Sequence, residues 1–131
     1  MKVLDSDTCI AILRGRMQVI EKRAAETDAI ATTWMTAAEL YYGAAKSSAP
    51  AANRGVVDAF LKTLPVLPSD VESARLFGYN KALLHRAGLP SADADLIIAA
   101  IAMANGAVLV TGNTRHFDRI PGLSLLDWIR G

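Results

Sequence analysis

Between Ala92 and Thr111 the chain reads ADADLIIAAIAMANGAVLVT, and no other stretch limits its fold as severely. After its first turn the part from Ala92 to Ala104 is apolar on every face, the mark of a helix covered on all sides. Asn105-Gly106 stops it. Ala107 to Thr111 then follows as an unbroken apolar run, of the kind found in a parallel strand with both faces buried. A strand of that kind needs a layer of helices on each side of its sheet. A polar loop, Gly112 to His116, begins directly after it.

The remaining sequence alternates in the same way. Lys2 to Leu4 with Asp5 reads as a short first strand ending in polar residues. A helix is expected from about Thr8, with Ile10, Leu13 and Met17 at helical spacing and Asp7 as its N-cap. Arg14-Gly15-Arg16 interrupts it, and a second helical piece runs from Val19 to Ala25. Ala29 to Met35 is rich in β-branched and aromatic residues and predicts the second strand. Thr36-Ala37-Ala38-Glu39 has the form of a capping box, with Ala37, Leu40, Tyr41 and Ala44 on one face of the helix it opens. Ser47, Ser48 and Pro50 end that helix.

Val57, Phe60, Leu61 and Leu64 mark another amphipathic helix, stopped by Pro65, and Val66-Leu67 is a short strand candidate. Ser69-Asp70-Val71-Glu72 forms a second capping box, leading a helix with Leu76, Tyr79, Leu83 and Ala87 in register until Gly88 and Pro90. That helix is expected to pack on the sheet edge. Ser124 to Leu126 predicts a last strand. The expected fold is therefore α/β, a three-layer α/β/α sandwich around a short, mostly parallel sheet, as a single domain over residues 1–131.

The totals agree with this. A chain of 131 residues with 52% hydrophobic composition suffices for one core and is too short for two. No run approaches the ~18 apolar residues of a membrane span. The Met1 end has no signal-peptide pattern, so a soluble, cytoplasmic protein is expected. Cys9 is the only cysteine; it forbids an internal disulfide and is expected as a buried thiol. Fourteen Lys and Arg stand against 13 acids, a net charge of +1 that gives no gross signature of a nucleic-acid binder. A carboxylate site consumes negative charge locally, however, and leaves room for a few cations to hold a phosphate backbone.

Three acids stand out within that framework. Asp5 and Glu39 follow predicted strands, and Asp95 lies in the first turn of the buried helix. In a parallel sandwich ligands bind beyond the carboxyl ends of the strands, where Asn113 also falls. Oxygen ligands in one crevice suit Mg²⁺ or Mn²⁺, which keep several waters and are held by a few carboxylates together with substrate phosphates. Such an ion activates water and stabilises charge developing on a phosphodiester, with Glu39 the natural group to orient or deprotonate the attacking water.

Each acid also has a plainer reading. Asp5 is a polar strand end, Glu39 the capping-box partner of Thr36, and Asp95 a first-turn acid favoured by the helix dipole. Jointly these are less convincing, because a carboxylate on a helix buried on its other faces needs a partner. Asp93 is read as a dipole or capping acid, and Asp7 as a helix cap in preference to a group supporting the ligands. Asn113 is a turn residue after Gly112 or a site residue. His116 is a loop residue or a ligand, Arg115 and Arg119 are solvated charges or phosphate contacts, and His85 is a surface residue.

VLDSDTCIAIL, TAAELYYGAAKS, DADLIIAAIAMANGAVLVTGNTRHF and IPGLSLLDW together resemble the PIN-domain VapC toxins of bacterial toxin–antitoxin pairs. The likeness covers essentially the whole chain, in order. It implies a Mg²⁺-dependent endoribonuclease, with Mn²⁺ able to substitute, that cuts structured RNA such as transfer or ribosomal RNA. It also implies inhibition by a VapB-like antitoxin whose C-terminal segment occupies the toxin's groove, and a homodimer. Asp5 matches the family's first-strand Asp, Glu39 the Glu of its A-E-L segment, and Asp95 the Asp before its L-I-A-A helix. Asn113 stands where an Asp often appears and His116 where another acid stands, so Asn113, His116 and Asp118 are the candidates for the fourth corner, with one metal or two.

Two other functions fit parts of the sequence. LDSDTC has a D-x-D pattern after a first strand, as in haloacid-dehalogenase-type phosphatases, with Asp5 as nucleophile and Asp7 as acid/base. Against this, Cys9 stands where Thr or Val is expected, and no suitable Lys motif follows. The substituted fourth corner also suits a catalytically weak PIN-type module that binds RNA or antitoxin.

Overall fold

Five strands, β1 (Lys2–Leu4), β2 (Ile30–Thr33), β3 (Val66–Leu67), β4 (Val108–Val110) and β5 (Ser124–Leu126), form one sheet in the order β3-β2-β1-β4-β5. These are the strands of a computed structural model that describes residues 1–131. Every pairing is parallel, so the sheet is parallel throughout. Side chains alternate across it. Leu4 and Val110 enter one core with Cys9, Val19, Leu40 and Phe60, while Val3 and Leu109 enter the other with Leu84, Leu96, Ile98 and Phe117. Each such fully buried side chain contributes about 1.5–3 kcal/mol of transfer free energy.

The helices supply the two outer layers: α1 (Ser6–Leu13), α2 (Met17–Ala25), α3 (Trp34–Ala45), α4 (Pro50–Leu61), α5 (Val71–Arg86), α6 (Asp93–Ala104) and α7 (Thr114–Phe117). The α/β/α sandwich expected from the sequence is present. Helix α6 carries the most buried residues of any of the helices, with Leu96 and Ile98 to Ala102 all buried. Cys9 is buried as expected, and burial pushes its thiol up to about 12, which makes it inert at neutral pH. Gly15, at φ 78°, makes the expected break between α1 and α2. No helix is long and apolar enough to cross a membrane.

Several local expectations are corrected. Helix α1 begins at Ser6, because Asp5 and not Asp7 is its N-cap, accepting the Ser6 N–H at 2.7 Å. Helix α3 begins at Trp34, with Thr33 as N-cap accepting the Thr36 N–H at 3.1 Å, so Thr36 and Glu39 form no capping box. Strand β2 ends at Thr33, which pairs with Leu67, the last residue of β3, one residue past the Leu4–Thr32 pair that ends β1. Trp34 and Met35, expected in the strand, therefore open the helix.

Helix α5 is capped by Asp70, whose side chain accepts the Ser73 N–H at 2.8 Å while the Ser73 hydroxyl accepts the Asp70 N–H at 2.8 Å. Ser69, the expected cap, is taken by the Trp34 indole N–H at 2.6 Å. Ser73, Asn80 and Leu84 are buried and Tyr79 is exposed, a buried face offset from the one expected. That face packs on α6 rather than on the sheet edge. Finally, the segment expected as a loop after β4 contains the one-turn helix α7.

Candidate active site

The sheet changes direction between β1 and β4: the chain winds outward from β1 to β2 and β3 on one side, while β4 and β5 fill the other. At such a point the loops leaving the strands diverge and open a crevice. Here the crevice has a volume of about 350 Å³, and Asp5, Asp7, Glu39 and Asp95 all line it, with Asn113 and Arg130 beside them.

Asp5 is the first residue past β1 and is 6% exposed. Its Oδ1 caps α1 through Ser6 N–H, and its Oδ2 accepts the Thr111 hydroxyl at 2.8 Å. Burial pushes this carboxyl up from 3.8 to about 7, with Asp7 and Asp95 adding to the rise; the hydrogen bonds from Thr111 and Ser6 oppose it. Asp7 lies in the first turn of α1, and its Oδ2 accepts the Gly112 N–H at 2.9 Å. A Cβ at position 112 would stand 2.8 Å from Ile129 Cδ1 and 3.0 Å from Asp7 Oδ2, so a larger residue would force these side chains to shift.

Glu39, in the second turn of α3, faces the same space, and its Oε1 accepts the Ser6 hydroxyl at 2.5 Å. Its shift from the helix start is what releases it from capping. Asp95 enters from the first turn of α6, with its Oδ2 3.4 Å from His116 Nδ1. Asn113 reaches the crevice from the loop after β4, anchored by its N–H donating to the Thr111 hydroxyl at 3.0 Å.

Thus Asp5, Glu39, Asp95 and Asn113 all line one crevice. His116 touches Asp95 but does not line the crevice, and Asp118 ends α7 outside it. Asp93 pairs with Lys81 at 3.0 Å. Arg115 and Arg119 lie outside the crevice, Arg119 beside the Leu89 carbonyl at 3.5 Å, and His85 is on the surface. Two residues have a place that the sequence reading did not favour. Asp7 belongs to the crevice, and the D-x-D spacing with Asp5 was the available signal. Arg130 also belongs to it, brought there by a fold that no local pattern announces.

No three His, Cys, Asp or Glu side chains form a ready metal cage. This arrangement fits Mg²⁺, which is held by one or two carboxylates and keeps its waters, better than a closed zinc or calcium site. All the donors are oxygens. Four carboxylates share one guanidinium in the crevice, and two of them oppose ionisation of Asp5, so a divalent cation would relieve the repulsion.

A larger groove of about 610 Å³ adjoins the crevice, sharing Ser6, Ile10 and Glu39 and running between α1, α3 and α4 past Leu13, Leu40, Tyr42 and Val57. It holds a single acid. The chemistry therefore belongs to the smaller space, with the groove as a neighbouring contact surface.

Comparison with known proteins matches residues 2–123 to the PIN domain. The chain is 39% identical over 127 residues to the tRNA(fMet)-specific endonuclease VapC of Salmonella typhimurium, with 96% of each chain covered. It is 33% identical over 128 residues to ribonuclease VapC2 of Haemophilus influenzae, with 97% of each covered. Among solved structures, DNA-bound VapBC from Salmonella typhimurium superposes with a TM-score of 0.91 at 38% identity, covering 97% of both chains. VapBC2 from Rickettsia felis, bound to a promoter DNA fragment, gives 0.91 at 30% identity over 97% of this chain and 98% of that one.

Proposed function

Because this chain belongs to the PIN-domain family, we propose that it is a Mg²⁺- or Mn²⁺-dependent endoribonuclease and the toxin of a VapBC-type toxin–antitoxin pair. The observation that carries this reading is the meeting of Asp5, Glu39 and Asp95 in one crevice at the switch point of the sheet. When bound, the metal supplies Lewis acidity and positive charge at the scissile phosphate. Asp5 and Asp95 would hold it, with Glu39 as a further ligand or as the base that orients the attacking water. The Ser6 hydroxyl fixes that glutamate. Asn113 would complete the fourth corner, and Asp7 keeps the Gly112 turn against the site.

Transfer RNA is the first substrate to test, since relatives in Salmonella typhimurium and Shigella flexneri are named tRNA(fMet)-specific endonucleases. Ribosomal RNA is the second. The partner is a VapB-like antitoxin, in keeping with the VapBC complexes among the structural neighbours, and the larger groove is where its C-terminal segment would lie. Self-association as a homodimer and a cytoplasmic location complete the reading.

A phosphatase of the haloacid dehalogenase type is not favoured: residues 2–123 match the PIN domain, and the similar proteins are named as nucleases. The test is to map cleavage ends on total RNA after induction and on purified tRNA with Mg²⁺ or Mn²⁺. Alanine at Asp5 or Asp95 should remove both cleavage and growth arrest, and retention of both would sink the proposal. RNA binding without cleavage under either metal would point to the weak-module alternative.

A further inference from the structure

We infer that Arg130 is the crevice's own phosphate-contacting cation, a guanidinium set beside the four acids to bind a non-bridging oxygen of the RNA phosphate above them. The inference rests on the ribonuclease reading. It concerns a residue outside the stretch matched to the PIN domain, which ends at residue 123.

Arg130 is the only basic side chain lining the acid crevice. Arg14 and Lys46 line the larger groove instead. A crevice with four carboxyl groups repels a polyanion, and a single divalent ion removes only part of that repulsion. The substrate therefore needs a second cation at the point where its charge is densest, and Arg130 is the one the fold provides.

The segment that delivers it is built into the structure. Trp128 is buried in the core beside Leu4, Cys9 and Val110, which fixes the chain just before the arginine. The Asp127 carboxylate accepts the N–H groups of Ile129 at 2.8 Å and Arg130 at 3.0 Å, closing a tight turn. Gln18 donates to the Ile129 carbonyl, and Ile129 itself fills the space that a side chain at Gly112 would need.

Within the guanidinium, Nη1 donates to the Gly112 carbonyl and lies 3.3 Å from Asp127 Oδ2. Nε and Nη2 have no protein acceptor, and the side chain is largely exposed. Those remaining N–H groups match the fork geometry that binds phosphate oxygens. One edge of the guanidinium is thus fixed to the site's own loop, and the other edge is open to substrate.

The test compares Arg130→Ala and Arg130→Lys with the unaltered chain on a transfer-RNA transcript that the unaltered chain cuts, in Mg²⁺ over a range of salt. Arg130→Ala should lower kcat/KM about ten- to hundredfold and reduce the salt-dependence slope by about one. Lysine should restore the slope, and added guanidinium ion should raise the rate of the alanine variant but not of the unaltered chain. Unchanged kinetics in Arg130→Ala would overturn the inference, as would faster cleavage at lower Mg²⁺, which would make the arginine a competitor of the metal. An equal defect in both variants with no guanidinium rescue would also overturn it, leaving only a prop for Gly112. Failure of the unaltered chain to cut any RNA would instead overturn the ribonuclease reading, and this inference with it.

Discussion

Thr111 and Asp5, 106 residues apart in sequence, meet through a 2.8 Å hydrogen bond in which the threonine hydroxyl donates to Oδ2. The bond joins the ends of two neighbouring parallel strands, so the register of β1 against β4 sets the position of the most buried acid in the crevice. Thr111 also holds the Asn113 N–H. One hydroxyl thereby couples a metal-binding candidate to the loop that supplies the fourth corner.

Thr111→Val keeps the shape and removes the donor. Since the Thr111 hydroxyl holds the Asp5 carboxyl down against the effect of burial, its loss raises that carboxyl further. Cleavage at pH 7 should fall about tenfold, the cost of a hydrogen bond to a charged group, and recover in part at higher pH. A pH–rate profile whose acid limb stays in place would count against this role.

Metal-free stability should depend on pH through Asp5. Between its ordinary value of 3.8 and about 7 the folded chain holds this proton more tightly than the unfolded chain does. Stability contributed in this way is complete below the lower value, falls as pH rises through the window, and is level above it. The loss is on the order of 4 kcal/mol by pH 8. Asp5→Asn should therefore melt several degrees higher than the unaltered chain at pH 8 without metal, and no higher near pH 3. Added Mg²⁺ should raise the melting temperature of the unaltered chain more at pH 8 than at pH 5, and leave the variant unmoved.

Gly112 and Gly78 make a matched pair. Alanine at Gly112 would place a Cβ 2.8 Å from Ile129 Cδ1 and crowd Asp7, while Gly78, within α5, has nothing within 4 Å of that position. Gly112→Ala should cost about 1–3 kcal/mol and lower cleavage, since the turn facing Asp7 must shift. Gly78→Ala should stabilise the chain by about 0.5–1 kcal/mol. Thermal melts of the two variants check both signs.

Glu39→Gln separates holding from proton transfer. It keeps the Ser6 contact while removing the charge and basicity. A base at Glu39 predicts a kcat loss of about a hundredfold or more with KM little changed, whereas a purely metal-holding role predicts recovery at high Mg²⁺. Ser6→Ala should give a milder form of the same defect.

Much of this arrangement was legible in the sequence because it depends on long apolar runs. ADADLIIAAIAMANGAVLVT could only be a covered helix and a covered strand, and these place Asp95 and Asn113 at one end of the sheet. Helix starts were harder to read where two capping patterns overlap. Thr33 and Thr36 compete, as do Ser69 and Asp70; tertiary structure decides, through the length of β2 in one case and the Trp34 indole bond in the other. Asp7 was visible as half of a D-x-D pair, but its role depends on Gly112, 105 residues away. Arg130 carried no local signal, because its place follows from the burial of Trp128 and the turn at Asp127.

The central claim is that Asp5 and Asp95 form a divalent-metal site that cuts RNA. Its most direct measurement is cleavage of purified tRNA by the unaltered chain, Asp5→Asn and Asp95→Asn, each with Mg²⁺, with Mn²⁺ and with EDTA. The account expects discrete cleavage by the unaltered chain with either metal, none with EDTA, and a loss of at least about a thousandfold in both variants. Cleavage that survives EDTA, or that persists at the unaltered rate in either variant, would contradict it.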